Sequence, residues 1–243
     1  MIFMNPDEPN FIWKDLNAVR DMGCIIENEL SEVLPNKRYE TYSIIGRSGE
    51  FNETFNDYEP FDYEIEDVTI PYENLAAVKR WLTGKSKLIT HNDEDKYLDA
   101  ICTMSKPTSF KNEWGVFYTF NVEFRCQPFK RKVNEQPKVI KTKSIEITDH
   151  GDEIAFPYIE INSKGGDITL NIGSNSLTIL RTQSGIVTID TEKGKAIQEG
   201  NPLFTRGSWI KTNPGQNKLN ISGNFIEAKF WNRSAARIYD TKF

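Results

Sequence analysis

The clearest pattern in the chain is strict alternation from Tyr118 to Cys126. Tyr118, Phe120, Val122, Phe124 and Cys126 interleave with Thr119, Asn121, Glu123 and Arg125. A period of two predicts a half-buried β-strand. Phe61 to Ile70 predicts a second, with Asp62, Glu64 and Glu66 on one face and rings or aliphatic side chains on the other. Pro71 then opens the best helical pattern. Tyr72, Leu75, Val78 and Leu82 recur every three or four residues and form one apolar stripe. Proline suits a first helical turn and Gly84 an exit, while Lys79 and Arg80 favour the negative end of the helix dipole. Residues 13–22 predict a second, weaker helix.

After residue 132 the pattern becomes all-β. Strands are expected at Ala155–Ile161, Ile168–Ile172, Leu177–Leu180, Ile186–Asp190, Lys218–Ile221 and Phe225–Trp231. Turn residues separate many of them: Gly165-Gly166-Asp167, Gly173-Ser174-Asn175, Ser184-Gly185, Asn213-Pro214-Gly215 and Ser222-Gly223-Asn224. Such spacing implies a sandwich or barrel. Between the two patterns lies Pro128 to Lys138, charged and framed by prolines, which reads as a linker. The expected organisation is therefore a β-rich domain with one main helix over residues 1–132 and an antiparallel β-sandwich over residues 133–243.

Composition agrees with an ordered globular protein, at 38% hydrophobic and 27% charged residues. No apolar run approaches the ~20 residues of a membrane span, so no membrane insertion is expected. The start, Met1 to Glu8, lacks the basic and apolar segments of a signal peptide. Cys24, Cys102 and Cys126 are too few and scattered for a disulfide framework, and suggest a reducing compartment. The net charge of −5 divides into −7 over residues 1–132 and +2 over residues 133–243. Neither part has the basic excess of a nucleic-acid binder.

Candidate chemistry is sparse. Asp57, Glu59, Asp62, Glu64, Glu66 and Asp67 could supply a carboxylate pair for glycoside hydrolysis. That chemistry needs an enclosed acid, and alternation on a strand places these groups on a solvated face. His91-Asn92-Asp93-Glu94-Asp95 has the oxygen donors of a calcium loop without its central glycine, and His150 is far off in sequence. Gly46-Arg47-Ser48-Gly49 could cradle a phosphate, but lacks the phosphate-loop spacing and introduces no helix, so a tight turn between strands is expected. No GxSxG elbow occurs, and two histidines leave few ways to assemble a triad. Trp209 and Trp231 invite a sugar-stacking role, although burial between sheets is the commoner fate of such rings. No catalytic, cofactor-binding or metal-binding residue is assigned, and no cofactor is expected.

In motif order the chain resembles siphophage distal tail proteins. In the first domain the resemblance rests on Gly46-Arg47-Ser48-Gly49, Arg80-Trp81-Leu82, the strand Tyr97-Leu98-Asp99-Ala100, and the run from Tyr118 to Pro128-Phe129. In the second it rests on Phe156-Pro157-Tyr158-Ile159, Gly166-Asp167-Ile168-Thr169-Leu170, Val187-Thr188-Ile189-Asp190-Thr191-Glu192 and Pro214-Gly215-Gln216-Asn217. Thr191 stands where the family often has serine. The resemblance implies a virion structural protein without catalysis. Its N-terminal domains would form a homo-hexameric hub around the DNA channel, and a galectin-like sandwich would project outward. The hub would join the tail tube protein to the tail-associated tip or baseplate protein and, in some phages, carry receptor-binding proteins. DNA would pass without specific binding. The protein would assemble in the host bacterial cytoplasm and reside at the distal end of the tail. The alternative is a non-catalytic carbohydrate-binding or adhesion module acting through the sandwich.

Overall fold

The computed structural model describes residues 4–5, 8–102 and 107–237. The chain divides between Val133 and Asn134 into two compact units, each with its own core.

The first unit contains β1 (Phe11–Trp13), β2 (Leu16–Asn17), α1 (Ala18–Met22), β3 (Ile25–Ile26), β4 (Lys37–Ser43), β5 (Glu50–Tyr58), β6 (Phe61–Pro71), α2 (Leu75–Trp81), β7 (Gly84–Thr90), β8 (Lys96–Cys102), β9 (Lys111–Glu113) and β10 (Phe117–Lys132). All but β4 and β5 join one antiparallel sheet, ordered β2-β1-β7-β8-β10-β6-β3, with β9 on β10. The expected strands are present. Phe120, Val122, Phe124 and Cys126 point into the core, joined by Tyr63, Ile65, Val68 and Ile70 from β6.

Three local differences have physical causes. The helical stretch opens as a single 3-10 turn at Tyr72–Asn74, leaving Tyr72 exposed on Tyr118, with ring centroids 5.3 Å apart. Its buried residues are Val78 and Trp81. The helix expected at 13–22 shrinks to α1, because Phe11, Ile12 and Trp13 are all buried and already pair with β7. Pro128 does not break the chain, since β10 runs on to Lys132. The proline falls where the β10–β8 register slips between Cys126 and Lys130, so its missing N–H costs no ladder bond there.

The second unit contains β11 (Lys138–Ile140), β12 (Ser144–Asp149), β13 (Tyr158–Ile172), β14 (Asn175–Asp190), β15 (Lys195–Gln198), β16 (Asn201–Pro202), β17 (Thr205–Gly207), β18 (Gly215–Ser222) and β19 (Phe225–Trp231). Four of the expected strands are halves of two long ones, β13 and β14, paired along almost their whole length. In β13 the buried positions are Ile159, Ile161 and Ser163, then Ile168, Leu170 and Ile172. Between Gly166 and Ile168 the ladder holds a bulge whose extra residue lies on β14, where Leu180 and Arg181 stand opposite the single Asp167. Gly165 and Gly166 take φ of 101° and 94°, Asp167 Oδ1 accepts the Arg181 N–H at 2.8 Å, and the strand bends. Before the bend β13 pairs with β19; after it, with β18. The sheet thus curls over one core, with Ile159, Val187 and Phe230 from one half meeting Leu170, Leu177 and Leu219 from the other.

Candidate functional surfaces

The acidic stretch lies where alternation places it. Asp62, Glu64 and Glu66 face solvent along β6, between buried Tyr63 and Ile65. Asp62 pairs with Arg125 at 3.0 Å, and Asn121 bridges to Glu64 at 3.4 Å and to the Asp67 N–H at 3.1 Å. An open depression of about 240 Å³ beside them is lined by Glu64, Asp67, Lys111, Phe120 and Glu123. Asp62 thus has a cationic partner and Glu64 a neutral amide one, and all three β6 carboxylates stand on the solvent-facing side of the strand.

The His91 segment acts as a clamp within the first unit. His91 and Asp93 bound a 3-10 turn. Buried His91 Nε2 lies 3.1 Å from Glu29 Oε2, and Asn92 donates to the Leu30 carbonyl at 2.9 Å and to Glu32 at 3.0 Å. Asp93 meets Lys96 at 3.2 Å and Lys130 at 3.7 Å, and Lys130 also reaches Glu32 at 3.1 Å. The cluster ties the stretch around residues 29–32 to β8 and β10. Among the described residues no group of three or more His, Cys, Asp or Glu is arranged to hold a metal ion.

Gly46 and Gly49 take φ of 86° and 84° in the turn joining β4 to β5, with open space around both. This is a hairpin turn, and its amides do not lead into a helix. Trp209 is half-buried against the second core and its indole lies beside Gly194; Trp231 packs edge-on to Tyr158, with centroids 5.5 Å apart. Pro214-Gly215-Gln216-Asn217 owes its form to Asn217. The Asn217 amide donates to the Asn213 and Gly215 carbonyls at 2.7 and 3.1 Å, and its Oδ1 accepts the Asn213 N–H at 3.0 Å.

Two surfaces escaped the sequence reading. Trp114, at a left-handed φ of 59° in the turn between β9 and β10, is 95% exposed, and Val116 and Tyr72 beside it are exposed too. The β4–β5 hairpin carries exposed Tyr39, Tyr42, Phe51 and Phe55, with Ile44 and Ile45 at its turn. A signal existed in the unmatched aromatic residues between Tyr39 and Phe55, since large apolar side chains without a core mark contact surfaces.

The chain thus has two curled antiparallel β units and one main helix. The fold is shared with a hub protein of the phage adsorption apparatus. The particular neighbour is Dit (gp 19.1) of SPP1, whose crystal structure is described as a paradigm of the hub adsorption apparatus in phages infecting Gram-positive bacteria. It superposes with a TM-score of 0.69 over 92% of this chain and 97% of that chain, at 12% identity. The resemblance read from sequence motifs is therefore present in the fold. No protein-family model matches the chain, and no curated protein matches it in sequence.

Proposed function

We propose that the protein is a structural component of a phage tail hub. The observation that carries this reading is the extent of the fold match, which takes in both units and nearly the whole of each chain. In this reading residues 1–132 form a hexameric ring around the DNA channel, and residues 133–243 form an outward galectin-like sandwich. The ring joins the tail tube protein to the tail-associated tip protein at the distal end of the virion, carries no cofactor and catalyses nothing. A closed ring needs head-to-tail contacts in which each copy offers two different surfaces. The net charge of −7 over residues 1–132 suits a channel wall that repels phosphate and avoids counterion-release binding.

The test is the solution mass of the purified chain by light scattering across a concentration series, with negative-stain imaging of the largest species. Six copies of the 28.0 kDa chain, about 168 kDa, closed around a central hole are expected. Two-fold dimers, open filaments or a strict monomer at every concentration would count against the ring.

A further inference from the structure

One outward face of the second unit is built almost wholly from hydroxyls and amides. Beyond the β13 bend, β12, β18, β13, β14 and β17 lie side by side. Residues directly opposite one another share a face. One row across these strands is Ser144, Asn220, Asn171 and Ser176. The next is Ser222, Thr169, Thr178 and Arg206. Leu170, Leu177 and Leu219 alternate with them and turn into the core. All but Arg206 are neutral, and each neutral group can both donate and accept. Thr169 and Thr178 share a hydroxyl bond at 2.9 Å. Among the described residues the side chains of Ser144, Asn171, Ser176, Asn220 and Ser222 bond to no protein group.

The two ends of this face differ. At one, Lys218 stands opposite Glu146. At the other, the Leu180 N–H donates to the Phe204 carbonyl at 2.9 Å, which extends the β14–β17 register and puts Phe204 on the same face as Arg206. Phe204 is 84% exposed, and among the described residues no ring or cation contacts it. The rings first expected to hold sugar are engaged elsewhere: Trp231 packs on Tyr158, which Arg233 covers, and Trp209 packs on the core.

The chemistry of the face selects its ligand. A nucleic acid or other polyanion needs several cations, and the rows offer one. An apolar protein segment needs a continuous apolar floor, and Phe204 is a single ring. Uncharged sugars match both features, since their hydroxyls pair with amides and hydroxyls while an apolar sugar face lies on a ring. Five strands at ~4.8 Å spacing span about 19 Å, which suits an oligosaccharide better than a single sugar. We infer that the Asn171–Thr178–Arg206–Phe204 face of the second unit binds a neutral polysaccharide. Asn171 and Asn220 bond its hydroxyls, the Arg206 fork bridges a neighbouring pair of them, and Phe204 stacks on a sugar ring. The site lies within one unit of one copy, so it goes beyond the hub reading and does not need the ring.

A flat face without a cleft holds each sugar chain weakly, so the test presents many at once. The full chain is applied to a printed array of neutral oligosaccharides. It is also run in native gels cast with dextran, galactomannan or a soluble glucan, with dextran sulfate as the anionic control. Wild type should bind at least one neutral glycan. Phe204→Ala, and Asn171→Ala with Asn220→Ala, should each weaken that binding at least about tenfold. Phe204 is exposed, so Phe204→Ala should keep the wild-type circular dichroism and melting midpoint. Ile226→Ala, at an exposed position before the bend, should bind like wild type. A chain that binds no neutral glycan, or dextran sulfate alone, would overturn the inference. Binding undiminished in Phe204→Ala and in the double asparagine variant would overturn the placement of the site. Self-association lost in Phe204→Ala, with no glycan bound by wild type, would overturn it in favour of a second copy on this face. The mass of the assembled ring is read separately, so each of these results leaves the hub reading to its own test.

Discussion

Trp13 and Trp81 exchange hydrogen bonds: the indole N–H of Trp13 donates to the Trp81 carbonyl at 3.1 Å, and that of Trp81 to the Trp13 carbonyl at 2.7 Å. Both rings are buried, Trp81 stacked on Phe11 and Trp13 tilted against Phe124. The exchange fastens β1 to the end of α2, giving the Trp81 carbonyl a second donor beside the Thr83 N–H at 2.8 Å. Replacing Trp81 with Phe keeps most of the ring and removes its buried bond to the Trp13 carbonyl. We expect a loss of about 1–3 kcal/mol. Trp13→Phe should cost a similar amount, and the double variant less than both together, since the two bonds form one unit. Urea unfolding followed by circular dichroism measures this, and strictly additive losses would show that the bonds act independently.

The cysteines should be silent in the folded protein. Cys24, Cys102 and Cys126 are all buried and carry thiols. Burial pushes the Cys24 and Cys126 thiols up to about 12, so almost no thiolate exists near neutrality. A chromogenic disulfide reagent at pH 8 should find no reactive thiol in the native chain and three in guanidinium. Fast reaction of one thiol without denaturant would place a local opening at that cysteine.

Much of the first unit was legible because its strands bury one face and wet the other. Phe120, Val122, Phe124 and Cys126 announce β10, and Tyr63 and Ile65 announce β6. The long strands of the second unit were not legible. Gly165-Gly166 and Ser184-Gly185 carry the usual marks of a turn, yet Ser163 pairs with Gly185 and Lys164 with Ser184, so the ladder passes through both. Sequence punctuation shows where a backbone can bend; whether the chain reverses or merely kinks is decided by the partner strand. Pro128 misled in the same way, because a register slip removed the penalty that makes proline a breaker. Of the β4–β5 hairpin only the tight turn at Gly46-Arg47-Ser48-Gly49 was legible, and its strands were missed for the opposite reason. It has no buried face within the chain, so its aromatic residues follow no core.

Asp190 and Arg233 form a pair whose contribution to the stability of the second unit depends on pH. Burial pushes the Asp190 carboxyl up, but the Arg233 guanidinium at 3.0 Å outweighs it, helped by the Lys193 N–H at 3.3 Å and its ammonium at 3.5 Å. The net direction is below the ordinary carboxylate value. A depressed folded value contributes stability that is complete above the unfolded carboxylate value of about 3.9, and is lost as pH falls through the folded one. Arg233 also lies over the Tyr158 ring at 4.9 Å, so Met is the fair replacement in volume. Arg233→Met should cost about 1–3 kcal/mol at pH 7. The gap from wild type should narrow below pH 4, as Asp190 takes up a proton in both proteins. A gap that stays constant across that range would assign the loss to packing on Tyr158 alone.

Gly223 and Gly46 both have positive φ, at 115° and 86°, but only one is enclosed. A Cβ on Gly223 would sit 2.4 Å from the Asp167 carbonyl oxygen and 3.1 Å from Ile168 Cα, both backbone atoms of the β13 bend. That bend cannot retreat without losing the bond from the Arg181 N–H to Asp167. The turn after β18 therefore packs directly on the kink that curls the sheet, and the missing side chain is a packing requirement. Around Gly46 there is nothing within 4 Å. Gly46→Ala should cost only the left-handed backbone, about 1–2 kcal/mol, and that within an exposed hairpin turn. Gly223→Ala adds overpacking of about 1–3 kcal/mol to the same backbone cost, and does so at the core. Thermal unfolding should show a larger drop in midpoint for Gly223→Ala than for Gly46→Ala. Equal drops would mean that backbone strain alone governs both turns and that the contact on the β13 bend adds nothing.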